Sequence, residues 1–197
     1  MKKIIKNEIN RKLFHIFSSI IPISYLWIIK DKKFIILVLV ILIIIAITIE
    51  LLRNHNKLIN SIFKRYFSSM LRKSESDGEV TGATWLLSSY LITIIIFPKP
   101  IAIAALIFLS IGDSIAAMVG NIFPFFSIGN KHITGSIAGI IISYLVVLSI
   151  NQDLQQLVIF YGAIAAMTIE LIPIRINDNI TIPLFSGTVM EILDIIL

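Results

Sequence analysis

Apolar residues in this chain come in long unbroken blocks, separated by short polar gaps. Seven blocks can be drawn, at residues 14–29, 34–52, 80–97, 101–119, 136–150, 157–172 and 182–197. Neither the two-residue alternation of a half-buried strand nor the one-sided stripe of a surface helix organises them. Continuous apolar blocks of this length are the pattern of helices with apolar surroundings on every side. Crossing a bilayer takes about 20 helical residues, within a range of about 17–25. The fifth, sixth and seventh blocks are short by that measure. The seventh also carries Glu191 and Asp194, so it is predicted to be half-inserted and packed against its neighbours. The expected fold class is all-α, a polytopic membrane protein of about seven transmembrane helices in a single domain, residues 1–197.

The gap after the second block has its own pattern. Leu58, Ile59, Ile62, Phe63, Tyr66, Phe67, Met70 and Leu71 recur in adjacent pairs every four residues, with Lys57, Lys64, Arg65, Arg72 and Lys73 between them. That spacing predicts an amphipathic basic helix lying in the headgroup plane, as an anchor or as the gate of a lipid entrance. The acidic stretch 74–79 then returns the chain to the third block.

Composition agrees with the pattern. The chain is 57% hydrophobic with a mean hydropathy of +0.94, and 15% of it is charged, against about 25% in soluble domains. There is no cysteine, hence no disulfide and no thiolate metal site. The net charge of +5 does not point to nucleic acid, because the basic residues flank apolar blocks, where anionic headgroups and topology explain them. With seven crossings, thirteen Lys and Arg fall on the side of the N-terminus and four on the other. The positive-inside rule then places the N-terminus in the cytosol, with the loops holding Lys131 and Asp178 on the same side. The expected location is the cytoplasmic membrane.

Within the fourth block stands Asp113. A carboxylate at the centre of a membrane helix costs roughly 2.5–3.5 kcal/mol on insertion scales, and less near an end. Gly112, Ala116 and Gly120 beside it form a small-residue stripe that turns it toward other helices. No basic residue lies mid-span to neutralise it, which favours a metal or a solvent-lined site. One loop later comes Gly129-Asn130-Lys131-His132-Ile133-Thr134-Gly135-Ser136, leading into the fifth block. Thr134 or Ser136 is placed to cap the following helix, and its first N–H groups with Lys131 would cradle a phosphate. Glu170 shares a four-residue stripe with Gly162 and Ala166, so it too faces protein. Asn177-Asp178-Asn179 precedes the last block, reading either as oxygen ligands suited to Mg²⁺ or as an Asx turn. Glu8, Arg11, Lys12 and His15 share one stripe near the N-terminus, where a Glu8–Lys12 pair is expected. Glu50 and Arg53 are read as a second pair.

Taken in order, these elements resemble the CTP-dependent lipid kinases: dolichol kinase, phytol kinase and the yeast-type diacylglycerol kinase. The likeness rests on Glu8-x-x-Arg11-Lys12-x-x-His15, Glu50-x-x-Arg53, Thr81-Gly82-Ala83-Thr84 and Gly112-Asp113-x-x-Ala116-x-x-x-Gly120. It continues through Lys131-x-x-x-Gly135-Ser136, Glu170-Leu171-x-Pro173 and Asp178-Asn179-x-x-Ile182-Pro183. It implies transfer of the CTP γ-phosphate to a membrane lipid hydroxyl at the cytosolic face, with Mg²⁺ as cofactor. By the same resemblance Asp113, Asp178 and Glu170 are metal candidates. Lys131, Gly135, Ser136 and Asn179 would hold nucleotide phosphate or ribose, and Arg11, Lys12 and Arg53 would add positive charge. His15 is a candidate base or hydrogen-bonding group. His132, Thr134 and Asn177 depart from the family pattern. Phosphatidate cytidylyltransferases share the Asp, Lys and Gly-Ser arrangement but carry an acidic C-terminal signature missing here. A small transporter is the third reading. No motif selects a particular lipid tail or an oligomeric state.

Overall fold

The computed structural model describes residues 2–129, 131–151, 153–174 and 176–197, with side chains from residue 7 on. Asn130, in the expected phosphate loop, and Arg175 lie outside them.

The described chain is almost wholly helical: α1 (Lys2–Ser18), α2 (Ile20–Trp27), α3 (Lys32–His55), α4 (Lys57–Phe67), α5 (Lys73–Ser76) and α6 (Gly82–Ile96) come first. A central helix follows in three parts, α7 (Lys99–Ile107), a π-helical turn (Phe108–Gly112) and α8 (Asp113–Ile122). A two-residue hairpin, β1 (Ser127–Ile128) and β2 (Lys131–His132), leads into α9 (Ile133–Ile150), α10 (Gln156–Leu171) and α11 (Asp178–Ile196). All seven apolar blocks fall on helices.

Four helices are long and apolar enough to cross a membrane: Lys32–His55, the composite Lys99–Ile122, Ile133–Ile150 and Asp178–Ile196. Those lengths and their composition are what an integral membrane protein requires. The expected count of about seven is not met by length alone. The third and sixth blocks form α6 and α10, apolar but shorter, and the first is divided between α1 and α2 at Ser19. The seventh block is longer than its apolar residues suggest. Asn177 caps it by accepting a hydrogen bond from the Asn179 N–H, and the helix then runs 19 residues from Asp178.

The central helix forms the core. Residues from Ile101 to Leu109 are buried without a break, so this helix is hydrophobic all round and has other helices on every side. By contrast, α3 turns Leu37, Ile41, Ile44, Ile45 and Ile49 outward. An apolar surface of that extent is consistent with a helix that faces a bilayer. The predicted basic amphipathic helix is α4, which ends at Phe67, so Met70 and Leu71 lie beyond it. Asn56 caps it, accepting from the N–H groups of Leu58 and Ile59, and Leu58, Ile62 and Tyr66 stand exposed along it.

Candidate functional site

Polar side chains from seven parts of the chain meet in one cavity of about 450 Å³. It is walled by Glu8, Arg11, Lys12 and His15 from α1, Arg72 and Glu75 at α5, and Gly82 at the start of α6. Asp113, Ala116, Ala117, Gly120 and Asn121 of α8, Lys131 and His132 of the hairpin, Ser136 of α9, Glu170 of α10, and Asn177, Asp178 and Asn179 at α11 complete it. Residues widely separated in sequence thus face the same space.

Asp113 opens α8 directly after the π-helical turn and is buried. It sits nine residues before the end of that helix, about 14 Å at 1.5 Å per residue, well inside the composite central helix. The expectation that no base reaches it is overturned. Lys12 Nζ donates to Asp113 Oδ2 at 2.5 Å, with both side chains buried. Lys12 is near the membrane edge in sequence, but α1 packs along α8 and carries the ammonium inward. Glu8 pairs with Arg11 at 2.5 Å instead of with Lys12. His15 Nδ1 is 4.0 Å from the same Asp113 oxygen and has no hydrogen-bond partner among the described residues.

Lys131 makes the second ionic cluster. Its Nζ donates to the Glu170 backbone carbonyl and to Asp178 Oδ2 at 2.9 Å, and lies 3.3 Å from Glu170 Oε1. One lysine on the hairpin therefore ties the end of α10 to the start of α11. Burial by itself would lower the pKa of this lysine. The Asp178 hydrogen bond and the Glu170 and Asp178 charges outweigh it and hold the pKa above its ordinary value. Ser136 Oγ donates to Glu170 Oε2 at 3.3 Å. Asn179 uses its amide on the Gly82 carbonyl at 3.2 Å, joining α11 to α6.

The start of α9 differs from expectation. Neither Thr134 nor Ser136 caps it; Thr134 Oγ1 donates to the Phe123 carbonyl, and the N-cap residue His132 makes no side-chain cap. Several N–H groups of that first turn therefore lack a side-chain partner, beside Lys131, where an anion is favoured.

Two expected site residues lie outside the cavity. Arg53 is buried, donates to the carbonyls of Glu75 (2.9 Å) and Glu79 (2.7 Å) and covers the Phe63 ring at 5.0 Å. It braces the 75–79 turn and offers no charge to a ligand. Nor does it pair with Glu50, whose Oε1 accepts from the Thr81 N–H, Thr81 Oγ1 and Thr84 Oγ1 at 2.7–2.8 Å. Gly135 serves packing. A Cβ there would land on the Ala116 carbonyl and 3.0 Å from Gly120 Cα, so the small residues let α8 and α9 meet backbone to backbone.

Glu75, Arg72 and Asn121 line the cavity but carried no signal as site residues. Glu75 reads in sequence as one acid in a charged loop. Its burial follows from α5 folding back under α3, held by Arg53 and by the Arg72 N–H donating to Glu75 Oε2 at 3.1 Å.

Among the described residues no three His, Cys, Asp or Glu side chains close into a metal cage. The carboxylates of Asp113, Glu170 and Asp178 are nonetheless hard oxygen donors facing one cavity, beside two lysines. Mg²⁺ usually takes one or two carboxylates and completes its shell with water and substrate phosphates. The donor set is of the kind that Mg²⁺ accepts.

The chain is 31% identical over 185 residues to the uncharacterized protein RP860 of Rickettsia prowazekii, covering 90% of each. It is 24% identical over 218 residues to CTP-dependent diacylglycerol kinase 1 of Eremothecium gossypii, covering 95% of this chain and 68% of that one. No family model and no solved structure matches it. The second similarity is distant and supports a lipid kinase reading at the level of family.

Proposed function

The chain belongs to the family of the Rickettsia protein RP860, and for it we propose CTP-dependent phosphorylation of a membrane lipid alcohol. The observation that carries the reading is the shared cavity. Four cationic side chains, Arg11, Lys12, Arg72 and Lys131, and the uncapped start of α9 share it with five carboxylates, Glu8, Glu75, Asp113, Glu170 and Asp178, inside a bundle with an apolar exterior. Phosphoryl transfer asks chiefly for positioning and charge neutralisation, and such a site offers both. The distant similarity to a CTP-dependent diacylglycerol kinase points the same way.

In this reading the nucleotide phosphates lie between Lys131 and the first turn of α9, with Arg11 and Arg72 on the facing wall. The lysine pairs with Asp113, Glu170 and Asp178 loosen as phosphate oxygens take over the lysines. Asp113, Glu170 and Asp178 would hold a Mg²⁺ that comes with the nucleotide, and that ion would supply neutralisation of charge on the transferred group. The lipid hydroxyl oxygen bonds to the γ-phosphorus, the bond from that phosphorus to the β–γ bridging oxygen breaks, and CDP leaves. Asn179, anchored through Gly82, orients the nucleotide. The N-terminus and this cavity are assigned to the cytosolic side, where CTP is found.

Purified protein given γ-labelled and α-labelled CTP with a panel of lipid alcohols and phosphatidate tests it. Label from the γ position in the lipid is the expected result. Label from the α position in a phosphatidate product, with pyrophosphate released, would make the protein a cytidylyltransferase. No lipid labelling with any acceptor would return the transporter reading.

A further inference from the structure

The polar cavity is not the whole of the site. A second pocket, apolar and about 190 Å³, adjoins it beneath α4. Its walls come from α1, α3, α4, α5 and the start of α6, with Ala46, Ile49, Phe63, Phe67, Met70 and Leu71 supplying most of the surface. Arg11, His15, Glu75 and Gly82 line both spaces, so polar and apolar halves meet at those four residues. Phe14 and Phe67 at its edge are 42% and 44% exposed, which opens the apolar half toward the side of the bundle.

Two groups at the junction have spare capacity. His15 is 5% exposed and its Nδ1 has no hydrogen-bond partner among the described residues. Glu75 is 6% exposed. Its Oε2 accepts from the Arg72 N–H, while no hydrogen bond to Oε1 is made among the described residues, and that oxygen faces Gly82. Glycine at 82 leaves open the space between the two halves. A buried ring nitrogen without a partner is costly unless a ligand meets it, and the free Glu75 oxygen opens onto the space beside it.

The geometry points to this junction as the acceptor site: a long-chain membrane alcohol places the first part of its tail in the pocket under α4 and its hydroxyl between Glu75 and His15. The inference rests on the lipid kinase reading for its chemistry. An acyl or prenyl chain suits the occupant because the pocket is apolar, opens toward the bilayer side and ends at polar groups. A soluble substrate would match only the polar half. Glu75 Oε1 accepts the hydroxyl proton as the oxygen bonds to the γ-phosphorus, so the proton goes to the carboxylate and CDP leaves with the bridging oxygen. His15 orients the hydroxyl from the opposite side. The amphipathic α4 then forms the roof of the tail pocket, which gives its apolar face a task beyond anchoring.

Photocrosslinking reads this placement whether or not phosphate moves. Diacylglycerol and a prenol, each with a diazirine near the hydroxyl end, are applied to the whole protein in nanodiscs. Labelling is expected on residues 46–71 and 81–83, with the better-labelling lipid identifying the tail class. Ala46→Phe, which fills the pocket, should reduce it at least tenfold, and Ile141→Phe on the outer face of α9 should not. The free alcohol should compete at least tenfold better than its O-methyl ether, and Glu75→Gln should remove that preference. Should Ala46→Phe not fold, the wild-type labelling map and the ether competition decide alone. Labelling spread over all lipid-facing helices, or no preference for the hydroxyl, overturns the inference. Specific labelling without transfer of γ-phosphate would keep the lipid site and sink the kinase reading instead.

Discussion

Lys12 and Asp113 set the constraint at the scale of single residues. Removing one partner of a buried ion pair leaves an uncompensated charge and costs about 3–5 kcal/mol, whereas an apolar replacement of both is often neutral. Asp113→Asn is therefore expected to lose turnover by at least about 100-fold, in the range seen when one transition-state donor is removed, and also to lower the unfolding temperature in detergent. The double variant Lys12→Met/Asp113→Leu should regain thermal stability while remaining inactive. Recovery of both, or of neither, would contradict a pair that is at once structural and functional. Lys131 has a different signature. Its pKa is raised in the fold, so its contribution to stability is fully present below the ordinary value of 10.5 and is lost as pH rises through the higher folded value. Comparing unfolding of wild type and Lys131→Met across pH should show a constant difference from neutrality to pH ~9 and a shrinking one above pH ~10.5. A difference that vanishes near pH ~7 would contradict the charged Lys131–Asp178 pair.

Among elements, the contact of α8 with α9 is the tightest test. Gly135→Ala places a methyl against the Ala116 carbonyl, and overpacking of this kind typically costs 1–3 kcal/mol. The variant should unfold at lower temperature, with any remaining folded fraction showing a weakened CTP affinity because Lys131 and the start of α9 shift together. Wild-type stability would mean that the helices are farther apart than described here. The interlock of α3 with the 75–84 region predicts something else. Arg53→Met should destabilise the protein while leaving the KM for CTP of the folded fraction unchanged, because Arg53 holds the backbone of residues 75–79 and does not face the cavity. A large rise in that KM, with stability intact, would return Arg53 to the phosphate-binding set. The central helix adds a point that periodicity does not foresee. Its π-helical turn changes the phase of α8 relative to α7, and such turns are often found at functional sites.

For the whole molecule, the decisive question is sidedness. Four spans by length, two shorter apolar helices and a divided first helix make topology a matter for measurement. The chain has no cysteine, so single cysteines report cleanly. Replacements at Asp77 and Ser127 should react with an impermeant thiol reagent only from the cytosolic side, and one at Asp153 only from outside. Labelling of Asp77 and Ser127 from opposite sides would separate two walls of the cavity across the membrane and remove the proposed site.

Helical class, membrane affinity and most of the polar residues that gather at the cavity were legible in the sequence. Each depends on local pattern: continuous apolar blocks require helices in lipid, and a carboxylate such as Asp113 in a block is too costly to stand without a purpose. Pairing was not legible. Lys12 reaches Asp113, Glu50 goes to Thr81 and Thr84, and Arg53 goes to carbonyls of the 75–79 turn, because α1, α3 and α5 come together only after the bundle closes. Gly135 looked like part of a phosphate loop, and only the approach of α8 makes it a packing residue. Glu75 carried no signal at all, since an acid in a charged loop looks solvated until the chain folds it under a neighbouring helix. The chemical inventory is a property of the residues; which charge meets which, and which oxygen remains without a partner, is decided by helices that are distant in sequence and adjacent in the fold.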